Sequence, residues 1–230
     1  MARCKQPGIG IVPPVFNEAG ILAEALERLR RIAGGCEVIV VDGGSADSSA
    51  SIARGYFRTE VNGEANRGAQ MNRGACCLCS DVLLFLHVDS RLPPDFEARI
   101  REALSDPRVA GGCFRLRFDD PHPMLRFYSW FTKYPGRFFH FGDQGFFVRR
   151  LVFEQMGGYR QLPFLEDVDF LRRLLRYGRF SVLPVPVVTS ARRFLRRGIV
   201  VQQLLNILVV ALFELGVSPR RLLRFYPHIR

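Results

Sequence analysis

The sequence predicts an α/β protein built on a doubly wound, mostly parallel (mixed) sheet flanked by helices, with a C-terminal apolar and basic helical tail. Three observations predict it. Strand and helix patterns alternate from Ile9 to His87, which is the pattern of successive βαβ units. Two of the strand runs, Glu37–Val41 and Asp81–His87, are apolar almost throughout, as strands covered on both faces must be. And 230 residues with 48% hydrophobic and 24% charged content suit one sizeable α/β domain and exclude a disordered or fibrous chain.

Ile9–Pro14 is a short apolar run bounded by glycine and proline, hence a first strand. Asn17-Glu18 opens a helix whose apolar residues Ile21, Leu22, Ala25, Leu26 and Leu29 keep to one face, and Gly34-Gly35 ends it. Glu37–Val41 is the second strand, followed by the loop Asp42-Gly43-Gly44-Ser45 and a helix over Ser45–Ala53 that starts from a Ser or Asp cap. Tyr56–Val61 is a short third strand, Gly68–Cys79 a helix, and Asp81–His87 the fourth strand. Pro93-Pro94-Asp95 begins a helix that runs to Leu104, and Gly111–Phe118 is a strand. Pro121–Gly136 is rich in aromatics, and Phe138–Arg149 reads as a strand around the Gly142–Gly145 turn. Leu165–Tyr177 is helical, with Glu166 and Asp167 placed early to offset the macrodipole. Ser181–Ser190 is the last strand and Ile199–Val217 a long apolar helix. With no repeat and no linker, residues 1–190 form one domain and 191–230 a tail.

Charge is spread unevenly along the chain. From Arg172 onward there are twelve arginines and one acid, Glu214, so the whole net charge of +11 lies in the last quarter. A uniformly basic nucleic-acid binder is not organised this way, and no RNP, KH or zinc-finger pattern is present. The apolar helix is flanked by Arg192, Arg193, Arg196 and Arg197 on one side and Arg220, Arg221 and Arg224 on the other. That arrangement predicts a helix lying in the headgroup plane of an anionic membrane on its cytoplasmic face, with a core-packed helix as the alternative. Met1–Gly10 carries no secretory pattern, which points to a cytoplasmic chain with free thiols. Cys76 and Cys79 form a CxxC without a second pair, and read as small buried residues on a helix rather than a zinc site.

Ligands of such sheets bind at the carboxyl ends of the strands, where Asn17, Glu18, Asp42, His87 and Asp89 converge. The turn after the first strand, Pro13–Glu18, has no glycine, and no GxxxxGK[ST] loop occurs. A phosphate ligand therefore needs a metal ion or arginines. Asp89 is a strand-end carboxylate able to take Mg²⁺ or Mn²⁺ while diphosphate oxygens fill the other positions; a turn cap is the plainer reading. Asp42 caps its own loop or accepts from a nucleobase, and Arg67 is a surface charge or a nucleotide partner. A nucleotidyltransferase would carry a glycine-rich basic loop after the first strand, and that loop is missing.

The ordered set Pro14–Glu18, VVDGGS at 40–45, RGAQMNRGA at 67–75, LLFLHVDS at 83–90, GDQGFF at 142–147 and LEDVDFLRRL at 165–174 resembles family 2 glycosyltransferases of the GT-A fold over about residues 9–226. It is most similar to the small radical-SAM-associated, arsenosugar-biosynthesis subgroup. The resemblance implies an inverting, hexosyltransferase-type enzyme that moves a sugar from a nucleotide-diphosphate sugar, UDP favoured, to an acceptor hydroxyl with a divalent cation. It implies a nucleotide-binding half at about 8–110 and an acceptor half at about 111–190. Pro14, Val15, Asn17 and Glu18 would line the nucleoside pocket, Asp42 would accept from the base, and Arg67 and Gln70 would hold the nucleotide with Gly44 and Val88. Asp89 would ligate the metal, Arg192 and Arg193 would face the diphosphate, and Asp143 and Gln144 would stand on the acceptor side. Asp167 would be the catalytic base beside Glu166. Two departures are plain: His87 stands where many members have an aspartate, and Pro13-Pro14 replaces a β-branched residue and proline. The alternatives are a glycosyltransferase-like nucleotide binder without catalysis and a basic peripheral membrane protein.

Overall fold

The computed structural model describes residues 8–136 and 138–223. Ile9–Val12 forms β1, and Pro13 ends it because a proline has no N–H for the ladder. Pro14–Val15 resumes the line as β2, and both pieces pair in parallel with β3 (Glu37–Asp42). Pro13 still contributes its carbonyl, which accepts the Val41 N–H at 3.1 Å. Outside β3 lies β4 (Arg58–Val61), and on the other side of β1 lies β5 (Val82–Phe85), both parallel. The helices α1 (Ala19–Ile32), α2 (Ser49–Arg54) and α3 (Arg67–Cys76) make the crossovers.

Beyond β5 the sheet becomes mixed. β8 (Phe146–Arg149) runs antiparallel to β5, β7 (Val109–Phe118) antiparallel to β8, and β9 (Arg179–Thr189) parallel to β7. A two-residue strand, β6 (Ser90–Arg91), closes the edge against β9. This half also holds α4 (Phe96–Leu104), α5 (Pro123–Phe131), α6 (Arg150–Gln155) and α7 (Glu166–Leu174). The tail forms α8 (Arg192–Arg197), α9 (Ile199–Glu214) and α10 (Pro219–Leu222).

Successive strand residues point to opposite faces, and each face has its own core. Leu83, Phe85, Phe146 and Val148 pack with Met71 of α3 and Phe170, Leu171 and Leu174 of α7. Val82, Leu84 and Phe147 pack with Leu29 of α1 and Phe96, Ile100 and Leu104 of α4. That is why the fourth strand reads as an unbroken apolar run. Each fully buried side chain of this size contributes about 1.5–3 kcal/mol. α3 approaches β1 so closely that a Cβ at Gly74 would collide with Val12. Its first turn is capped by Asn66, whose Oδ1 accepts the Ala69 N–H at 2.9 Å.

Several expectations need correction. Phe138–Arg149 is not one strand: only Phe146–Arg149 is, and Gly142–Gln144 forms a 3₁₀ turn ahead of it. The aromatic-rich segment contains α5, whose first residue Pro123 suits a helix start. α6 had no clear sequence signal, because its six residues are too few to display a period. Cys76 and Cys79 are exposed rather than buried, since α3 ends at Cys76 and leaves the pair on its C-terminal turn. Cys113 is the buried thiol, and Cys4 lies outside the described residues.

The tail helix is not packed into the core. Only Gln202 and Val209 of α9 are buried, while Val201 and Leu204 are each 61% exposed and Leu215 81%. Its inner side rests on Phe164 and Leu222. Among the described residues no helix is long and apolar enough to cross a membrane. Arg224, part of the expected basic flank, lies outside the described residues.

Candidate functional site

The carboxyl ends of β2 and β5, the turn before β8 and the N-terminus of α7 meet at one cleft of about 1100 Å³, closed on its far side by α5 and α9. Of the residues singled out from sequence, Pro14, Val15, Glu18, Arg67, Gln70, Val88, Asp89, Asp143, Gln144, Glu166, Asp167, Arg192 and Arg193 line it. Asn17, Asp42 and Gly44 do not.

Two non-glycine residues among those described have positive φ, Asn17 (53°) and Leu165 (62°). Each immediately precedes a cleft acid, Glu18 and Glu166. For leucine this conformation is costly, and the surrounding structure holds it where the chain turns an acid into the cleft. Asn17 suits the conformation and also closes the loop opposite: its N–H donates to Ser45 Oγ at 2.8 Å and its Oδ1 accepts the Ala46 N–H at 2.9 Å.

Asp42, expected to meet a base, is buried and committed to its own loop. Its Oδ1 accepts the Gly44 and Ser45 N–H groups, both at 2.9 Å, and its Oδ2 accepts the Ser45 hydroxyl at 2.6 Å. The plainer reading of this residue, a loop cap, is the one the geometry realises. Gln70 donates from Nε2 to the Val15 and Val41 carbonyls at 2.7 and 2.8 Å, tying β2 to β3 where the ladder is thin. Gln144, placed on the acceptor side from sequence, is fully buried. Its Nε2 donates to the Phe139 carbonyl, and its Oε1 takes the Cys113 thiol and the His140 ring nitrogen.

The acids are held around two arginines. Asp167 Oδ2 accepts the Gly142 N–H at 2.8 Å and its Oδ1 the Val168 N–H at 2.8 Å. Glu166 is buried 3.7 Å from the Arg67 guanidinium; burial first, then the Asp167 charge, raises its pKa against the pull of Arg67. Glu18 takes Arg192 through both oxygens at 2.8 and 2.9 Å, and Asp89 Oδ2 stands 3.9 Å from the same nitrogen. Asp143 has a fully buried Oδ1 with no hydrogen-bond partner. Burial, with the charges of Asp167 and Asp89, pushes its pKa up to about 7. Ser90 Oγ donates to the Asp143 carbonyl at 3.1 Å, which ties this turn to the strand end that carries Asp89. His87 and Asp167 both stand beside Gly142, where a Cβ would lie 3.2 Å from His87 Nε2 and 3.4 Å from Asp167 Cβ, and burial, with the Arg67 and Arg193 charges, holds the His87 pKa well below its ordinary value.

This donor set fits a divalent cation. Asp89 offers a hard oxygen, and a carboxylate oxygen of Asp143 is buried without a partner, a costly arrangement unless a cation answers it. Among the described residues no three His, Cys, Asp or Glu side chains group into a complete metal site, so ligand oxygens would have to fill the shell.

Sequence reasoning missed the other wall. Nine of the twenty phenylalanines line this cleft, with Ile207 and Val210 of α9 and Leu215 just after it opposite. The unusual phenylalanine count was the available signal.

Residues 11–164 match the family described as Glycosyl transferase family 2. An uncharacterized glycosyltransferase of Mycobacterium tuberculosis is 33% identical over 108 residues, which span 43% of this chain and 40% of that protein. The undecaprenyl-phosphate 4-deoxy-4-formamido-L-arabinose transferase of Sodalis glossinidius is 25% identical over 94% of this chain and 70% of its own length. Among solved structures, the mannosyltransferase PcManGT of Pyrobaculum calidifontis, in complex with GDP-Man and Mn²⁺, superposes with a TM-score of 0.66 at 19% identity. That match covers 80% of this chain and 57% of that one. TarS of S. aureus with UDP-GlcNAc gives 0.64 at 14% identity over 80% and 58%. The chain thus spans less than half of the Mycobacterium relative and little more than half of these two structures. At such identities the structures establish the fold, which is the GT-A type expected from the motifs.

Proposed function

This chain belongs to glycosyl transferase family 2, and we propose that it transfers a sugar from a nucleoside-diphosphate sugar, UDP favoured, to an acceptor hydroxyl with inversion. The observation that carries this reading is that Asp167, Asp89, Arg67, Arg192 and Arg193 all line one cleft at the strand ends. Within the family, the motif set favours the radical-SAM-associated, arsenosugar-type subgroup. Residues 8–110 are the nucleotide half, 111–190 the acceptor half and 191–230 a tail that contacts anionic membrane from the cytoplasmic side.

Asp167 is the general base. Two backbone N–H groups fix its carboxylate, and each oxygen keeps a second lone pair for the acceptor hydroxyl. As the acceptor oxygen attacks the anomeric carbon, its proton passes to Asp167 and the bond to the diphosphate breaks. Such a base is worth about 10²–10⁴ in rate. Glu166 stays at the head of α7 against Arg67 and keeps that guanidinium turned to the cleft. Arg193 meets the diphosphate; Arg192, gripped by Glu18, sets the distance of that charge from Asp89. Pro14, Val15, Glu18 and Val88 line the nucleoside, while Gln70, Asn17, Asp42 and Gly44 support it through the strand ends and the loop they shape. Mn²⁺ or Mg²⁺ would be held by Asp89 and would supply positive charge for the departing diphosphate.

The test is thermal stabilisation by UDP and GDP with and without Mn²⁺, in the wild type and in Asp89→Ala, followed by release of nucleoside diphosphate from a panel of nucleotide sugars. The expected outcome is a Mn²⁺-dependent shift that Asp89→Ala loses while it melts like the wild type without ligand. An equal Mn²⁺-dependent shift in both proteins refutes the metal assignment. Nucleotide binding without release from any sugar leaves a nucleotide-binding protein that does not catalyse.

A further inference from the structure

The cleft exceeds what one polar ligand requires. Its volume of about 1100 Å³ is above the roughly 300–1,000 Å³ of ordinary small-molecule pockets, and its two ends differ in chemistry. The acids and arginines stand at the strand ends. Between α5 and α9 the lining is Phe127, Phe131, Phe138 and Phe139 on one wall and Ile207 and Leu215 on the other. Phe127 and Phe138 are each 54% exposed and Leu215 81%. Apolar surface of this extent, grouped and open to water, marks a binding surface.

We infer that this half is the acceptor subsite and that the acceptor is an amphiphile, its hydroxyl carried at the end of an apolar chain. The inference rests on the reading of the carboxylate end as the transfer site. Continuity supports the occupant: one cavity contains both Asp167 and the phenylalanine walls, so a chain between α5 and α9 leads its polar end to the base. Charge supports it too. Arg196, exposed in the same lining, gives an anionic group beside the chain a partner at the mouth. A hydrophilic sugar or a small polar acceptor leaves these rings in water.

The probes are methyl, butyl and octyl β-glucoside, used below the micelle concentration and without lipid. Binding is read from the emission of Trp130, the only tryptophan, whose ring lies 5.2 Å from that of Phe131. Stabilisation by UDP is measured in parallel. Each buried methylene gives about a three- to fourfold gain, so octyl should bind at least about tenfold more tightly than butyl. Phe127→Ser with Phe139→Ser should abolish that preference, whereas Leu204→Ser on the outer side of α9 should keep it. Equal binding of methyl and octyl glucoside overturns the inference. So does a preference that survives at Phe127 and Phe139 but is lost at Leu204. UDP stabilisation without chain-length dependence removes this inference and leaves the proposed function standing; loss of both removes both.

Discussion

The two ends of the cleft are built by different forces. At the strand ends, position comes from hydrogen bonds: three to Asp42, two from Gln70, two to Asp167. Between α5 and α9 it comes from ring contacts. Phe131 stacks on Phe139 with centroids 5.6 Å apart and meets Phe127 edge-on at 5.0 Å. Hydrogen bonds are directional and fix atoms closely, whereas apolar burial is non-directional. The first end is suited to holding reacting atoms in place, and the second to accepting a chain whose shape varies.

The contrast is broken most severely at Asp167. Asp167→Asn keeps the shape and the contact to Gly142 but cannot take a proton, so turnover should fall by about 10²–10⁴ while donor affinity stays within a few-fold. Steady-state release assays with parallel calorimetry read both. Turnover above about a tenth of wild type moves the base elsewhere, to Glu166 or Asp143.

Gln70→Leu comes next. It leaves the Val15 and Val41 carbonyls buried without their donor, at a cost of about 1–3 kcal/mol, read as a lowered urea midpoint with an unchanged slope. Asp143 sharpens the comparison through pH. Its pKa rises from 3.8 to about 7 on folding, so the folded protein holds a proton that the unfolded chain has released. Stability relative to Asp143→Asn should therefore be independent of pH below about 4 and should decline as pH rises from about 4 to 7. Melting curves in chelator at pH 5 and 8 measure it; a constant difference would show that burial does not hold that proton.

The smallest effect on stability belongs to the outer face of α9. Leu204→Ser with Leu208→Ser should change stability by less than about 0.5 kcal/mol, as surface substitutions do. The same pair should reduce flotation with anionic liposomes at low salt. Flotation that is absent in the wild type, or unaffected by the substitutions, removes the membrane contact.

Legibility in the sequence follows the same division. The parallel half was readable because runs such as Val82–Phe85 are apolar on both faces. Asp89 and Asp167 were readable because each sits at a fixed point of a strand or helix end. The hydrogen-bond partners of Asp42, Asn17 and Gln144 were not readable in this way. Each can bond a ligand or its neighbours with equal chemistry, and only the folded chain decides which partner arrives first: Ser45 for Asp42, Ala46 for Asn17, His140 and Cys113 for Gln144. The CxxC misled because a helix pattern says nothing of where the helix stops, and α3 stops at Cys76.

By itself, the sequence determined the alternation of elements, the contrast between a charge-balanced first 171 residues and a basic last quarter, and the carboxylates at the strand ends. These are local: period, cap and turn chemistry act within a few residues. The tertiary structure alone decided that the tail returns to wall the cleft opposite α5, that Asp143 comes near Asp89 with its Oδ1 buried, and that so many phenylalanines share one cavity. These contacts join residues scores of positions apart, and non-directional apolar attraction leaves no spacing in the sequence by which to read them.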